Sequence, residues 1–74
     1  MKLYDLKRDS GTKIYCDLSD GSTYIIFHHI DGMYSYCKSE NGEVVHLYAG
    51  TDLVPVEGEE NAFNILKKDD EITV

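Results

Sequence analysis

Between Lys13 and Ala49 the chain runs through short segments rich in Tyr, Ile, Val and Phe, interrupted by Asp20-Gly21, Asp31-Gly32 and Asn41-Gly42. Such residues suit a pleated, half-buried surface. Asx-Gly pairs supply the positive φ that two-residue type I′ hairpin loops require. The pattern therefore predicts three successive hairpins, with strands over 13–19, 22–30, 33–40 and 43–49 forming a four-stranded antiparallel meander. Nothing in this span has a helical period.

Tight loops also fix register, and a one-residue slip turns a strand over. Two-residue loops set Ile14 opposite Phe27, Phe27 opposite Tyr36, and Tyr36 opposite Leu47. One face then carries Ile14, Cys16, Leu18, Ile25, Phe27, Tyr34, Tyr36, Val45, Leu47 and Ala49, with His29 and Lys38 at its margins. The opposite face carries Tyr15, Asp17, Tyr24, Ile26, His28, Ser35, Cys37, Val44, His46 and Tyr48. Turn chemistry alone thus yields an apolar face, so two levels of the sequence agree.

The flanks are shorter. Met1 to Leu6 reads as an edge strand with Leu3 and Leu6 inward, and Thr51 to Glu57 as another, which Pro55 confines to an edge or a bulge. Gly58 to Asn61 is a turn; Ala62 to Leu66 forms a last strand or one helical turn. The domain spans 1–66, and 67–74 is a charged tail expected to fray.

At 74 residues the chain buries one small core, and its stability is expected to be shared with a partner subunit or ligand. A net charge of −7 opposes direct contact with nucleic acid or anionic lipid. The longest apolar run, Tyr24 to Phe27, is far short of the ~20 residues of a membrane span. Without a signal-peptide core behind Met1, a cytoplasmic location with reduced thiols is expected. Cys16 and Cys37 fall on opposite faces of the predicted sheet, so no disulfide should join them.

A meander of this size, flanked by terminal strands, is expected to curl because sheets twist and open edges invite pairing. The run Phe27-His28-His29-Ile30-Asp31-Gly32-Met33-Tyr34-Ser35-Tyr36, with Asn41-Gly42-Glu43-Val44-Val45 and Leu53-Val54-Pro55-Val56, resembles the strand rhythm of SH3-like and Tudor-like barrels. It also resembles small barrel proteins encoded by tailed phages. The expected fold is therefore all-β, a small SH3-like barrel built on the meander with short terminal strands. The phage resemblance implies a role in blunting a host defence, by sequestering a small nucleotide signal or binding a host protein.

Candidate chemistry is sparse. Cys37, His28 and His46 share the polar face, but with His28 and His46 about 10 Å apart on either side of Cys37 they suit tetrahedral zinc poorly. No metal or cofactor is expected. Cys37 lacks the electropositive setting of a thiolate nucleophile, and the glycines form no phosphate-binding loop, so the chain does not read as an enzyme. Six tyrosines without a tryptophan bend the composition toward recognition, because tyrosine offers a large, rigid, amphipathic contact surface. The candidate contact residues are Tyr15, Tyr24, His28, His46 and Tyr48, forming either a homo-oligomer interface or a site for a small anionic ligand. The rival reading is an acidic DNA mimic that occupies a nucleic-acid-binding enzyme.

Overall fold

A computed structural model describes residues 1–66 of the chain. The expected charged tail, 67–74, lies outside the described residues. A 3-10 turn over Leu3–Asp5 precedes six strands: β1 (Lys13–Tyr15), β2 (Tyr24–Asp31), β3 (Tyr34–Ser39), β4 (Val44–Val45), β5 (Leu53–Pro55) and β6 (Ala62–Ile65). They form one sheet in the order β4-β3-β2-β1-β6-β5. The predicted meander is its first four strands. The chain then returns so that β6 pairs parallel with β1, and β5 pairs antiparallel with β6.

The sheet curls round a core of Leu3, Ile14, Ile25, Phe27, Cys37 and Leu53, but it does not close into the expected barrel. Among the described residues no ladder joins its edge strands, β4 and β5. The amino-terminal segment bonds instead to the chain that links β4 to β5 and to β5 itself, with Leu3 N–H donating to Thr51 O, Tyr4 N–H to Ala49 O, and Leu53 N–H to Met1 O. Met1 to Leu6 is thus a 3-10 turn with one bridge, Lys2 to Asp52, where an edge strand was expected. Leu3 is nevertheless fully buried and Leu6 packs against the core, as the sequence required. Ala62–Ile65 resolves as strand, and Pro55 sits on the edge strand, where its missing N–H costs no ladder bond.

Register departs from expectation at each hairpin. The first loop is longer than two residues, and Ile14 lies opposite Ile25, a shift of two that leaves every face unchanged. The second closes on Gly32-Met33, pairing Asp31 with Tyr34. Beyond it, β2 carries a bulge: Phe27 faces Cys37, whereas His29 faces Tyr36, so His28 is an extra residue. The third loop has three residues, with Ser39 N–H bonded to Glu43 O and Gly42, at φ 85°, donating to Ser39 O.

Each of the last two changes is a one-residue shift, so together they invert β3 and restore β4. Ser35, Cys37 and Ser39 point inward and are buried, while Tyr34, Lys38 and the half-buried Tyr36 lie on the outer face, contrary to the predicted assignment. The buried hydroxyls have partners. Ser35 Oγ accepts from Leu47 N–H and bonds Leu47 O, and Ser39 Oγ donates to Asp20.

A second polar network fixes the two hairpin ends nearest β4. The Asp20 carboxylate accepts from Ser22 N–H, and Glu40 accepts from the Thr23 N–H and hydroxyl. Asn41 donates to Asp20 O and Ser22 Oγ, tying the first loop to the third. On the far side, Thr12 is buried and donates to Asn61 Oδ1 at 2.6 Å, securing the β1–β6 junction.

Candidate functional site

The outer face follows from the same register. Its middle row runs Lys13, Ile26, Lys38, Val44 across β1 to β4. On one side Tyr15 faces Tyr24; on the other His29 faces Tyr36, and beyond that Tyr34 bridges to Tyr48. Five tyrosines and all three histidines therefore lie on one sheet surface, divided into three clusters.

The central cluster is made by the β2 bulge. In a regular strand His28 and His29 would point to opposite faces, but the extra residue turns both outward while Phe27 and Ile30 still face the core. Tyr36 sits between the histidines. Its ring stacks on His29 with centroids 5.2 Å apart and planes 12° from parallel. It meets His28 edge-on at 5.5 Å and His46 edge-on at 5.9 Å. Two of the imidazoles are oriented from outside the cluster: His28 Nδ1 lies 3.0 Å from Asp9 Oδ1, and His46 Nδ1 lies 2.9 Å from Ser35 O. The Asp9 N–H also donates to His28 O, so the loop before β1 is tied to the bulge itself.

The second cluster pairs Tyr15 and Tyr24 edge-on at 6.2 Å, with the Lys13 ammonium 4.5 Å from the Tyr24 ring centre and 5.5 Å from that of Tyr15. The Tyr15 hydroxyl donates to both oxygens of Glu59, and this carboxylate raises the phenol pKa above its ordinary value. Behind it an open cleft of about 600 Å³ is lined by Tyr15, Cys16, Asp17, Thr23, Asn64 and Ile65. The third cluster is Tyr34 against Tyr48, edge-on at 6.4 Å and both more than half exposed. Tyr48 folds back over Gly50, where an added Cβ would come within 2.6 Å of its ring.

All five expected contact residues, Tyr15, Tyr24, His28, His46 and Tyr48, lie on the outer face, but they belong to three separate clusters. Tyr36 and His29, which join His28 to His46, lie on this outer face, where the turn-derived register places Tyr36 on the core face and His29 at its margin. The adjacent His28-His29 pair is the signal for them: two polar residues in succession inside an alternating strand mark a bulge. Cys37 does not join the histidines. It points inward and is fully buried, and among the described residues no His, Cys, Asp or Glu group could hold a metal. Both cysteines are free, and burial pushes each thiol pKa up, away from thiolate chemistry. With both on the inner side, their separation rests on the intervening strand β2 rather than on opposite faces. No described helix is long and apolar enough to cross a membrane.

No family model, curated protein or solved structure matches this chain.

Proposed function

We propose that this chain is a non-catalytic binding and assembly module whose contact surface is the outer sheet face centred on Tyr36. The observation that carries the reading is the convergence of three imidazoles on one tyrosine ring, next to a row holding Lys13 and Lys38. In a chain of net charge −7 this places cationic and neutral aromatic groups together. Asp9, a carboxylate that touches the cluster, is engaged with His28. Flat rings with adjacent ammonium groups suit a planar, negatively charged ligand such as a nucleotide, which stacks on aromatic faces and offers phosphate to the cations. A small all-β sheet is also the kind of scaffold on which SH3-like and Tudor-like domains carry binding faces, an analogy of fold only. With the phage resemblance, the reading extends to sequestering a nucleotide signal or holding a host protein.

The acidic-mimic reading has weaker support. Asp20 and Glu40 direct their oxygens at backbone N–H groups of Ser22 and Thr23, and Glu59 is bonded to Tyr15, so these carboxylates are not free to imitate a row of phosphates. Titrating the labelled protein with adenosine monophosphate, followed by amide and imidazole NMR shifts, tests the proposal. Shifts centred on His28, His29, Tyr36 and His46, and abolished in Tyr36→Ser, are expected. Shifts scattered over the surface, or unchanged by the substitution, would contradict it.

A further inference from the structure

The two edges of the open sheet are treated differently. On β5 the residues whose backbone faces outward are Leu53 and Pro55. Leu53 N–H is already bonded to Met1 O, and Pro55 has no N–H to offer. On β4, among the described residues, neither device is present. Ser39 N–H donates to Glu43 O and Ser35 N–H to Leu47 O, with Cys37 opposite Val45 between them. Antiparallel alternation then turns Glu43, Val45 and Leu47 toward β3, and it turns the N–H and C=O of Val44 and His46 to the free side. An edge of this kind is a template for another strand.

We infer that two copies of this chain pair antiparallel along the β4 edge, about a two-fold axis at Val45. The pairing deepens the assembly half of the reading above and rests on it only for continuity with the outer face. The register is set by the groups themselves. Placing Val44 opposite the partner's His46, and His46 opposite the partner's Val44, lets every outward N–H and C=O of these residues meet its complement. An isologous contact requires such self-complementarity. Side chains agree with it. Val45 meets its own copy on the inner side, and the exposed Val44 meets an imidazole on the outer side. Tyr48 falls opposite the partner's Gly42, whose Cα has open space around it. Glu43 falls opposite the partner's Leu47, so no carboxylate confronts another across the axis. The general repulsion between two chains of −7 is screened by salt, so the pair tightens as salt is added.

Light scattering on the full chain, combined with amide hydrogen exchange, tests the pairing. The expected mass is twice 8.4 kDa, with the Val44 and His46 amides protected in the dimer and unprotected on dilution. Val44→Pro removes an N–H that makes no bond to β3, and it should return the mass to 8.4 kDa with the sheet intact. If that variant fails to fold, Val44→Lys brings ammonium groups into the paired edge and should give the same loss. A mass of 8.4 kDa for the wild type at every concentration and salt level would overturn the pairing. So would a dimer that survives both variants with Val44 and His46 exchanging freely. If such a dimer dissociated in Tyr36→Ser, the outer-face reading would stand and only the edge would be lost.

Discussion

His29 stacks on Tyr36 across the β2–β3 ladder, with planes 12° from parallel, one residue beyond the point where His28 interrupts the pairing. The bulge and the stack depend on each other. Without the extra residue His29 would face the core beside Phe27 and Tyr36 would lie beneath the sheet. With it, an apolar alternating strand turns two successive imidazoles to the outer face, His28 exposed and His29 half-buried, while Phe27 stays buried and Ile30 packs against the core.

Aromatic pairs of this geometry contribute about 0.5–1.5 kcal/mol beyond the area they bury. A double-mutant cycle on His29→Ala and Tyr36→Ala should give a coupling of about that size in urea unfolding. Additive single effects would show that the two rings do not stabilise one another.

Phe27 is 1% exposed and sits at the centre of the core. Phe27→Ala should destabilise the fold by about 3–5 kcal/mol, a large part of what a domain of this size possesses. Chemical denaturation reads this directly, and a native-like midpoint would place the ring outside the core.

Much of this arrangement was legible in the sequence. The order of the four meander strands, the inward side of β1, β2 and β4, and the confinement of Pro55 to an edge or a bulge follow from Asx-Gly turns, period-two alternation and the missing proline N–H; the parallel β1–β6 pairing does not. The inversion of β3 was not, because Tyr34 and Tyr36 are apolar enough to pass for core while Ser35, Cys37 and Ser39 look like surface. The difference lies in two one-residue events, the His28 bulge and a third residue in the Glu40-Asn41-Gly42 loop. Each flips parity, and together they cancel at β4, so the error leaves no trace in the flanking strands. The open sheet, where a barrel is expected, has another cause. Turn signals report neighbouring strands and say nothing of the amino-terminal segment that bonds to Ala49, Thr51 and Leu53.

The inverted strand has a chemical consequence. Cys37 is fully buried and Cys16 only half so, with both thiol pKa values raised by burial. Under native conditions iodoacetamide should alkylate Cys16 first, and Cys37 only as fast as local opening exposes it. Peptide mapping that found Cys37 modified first would return it to the outer face.

Acid should loosen the link between the first and third loops. The Ser22 N–H holds the Asp20 carboxyl below its ordinary pKa, and the Thr23 N–H does the same for Glu40. A carboxylate lowered in this way stabilises the fold above its unfolded pKa of about 4, and the contribution disappears as pH falls through the lower folded value. Asp20→Asn with Glu40→Gln should therefore lower Tm near neutrality, and the gap from wild type should shrink below about pH 4. A gap that stays constant with pH would show that the charges are not what the loop amides hold.

A contact surface centred on Tyr36 requires its ring on the outer side of the sheet, and nuclear Overhauser contacts of that ring report the side most directly. The expected result is a set of cross-peaks from the Tyr36 ring to the rings of His28, His29 and His46, with the Cys37 β-protons contacting core side chains instead. Cross-peaks from Tyr36 to Phe27 and Leu47, with Cys37 near the histidines, would contradict it and remove the basis for a contact surface centred on Tyr36.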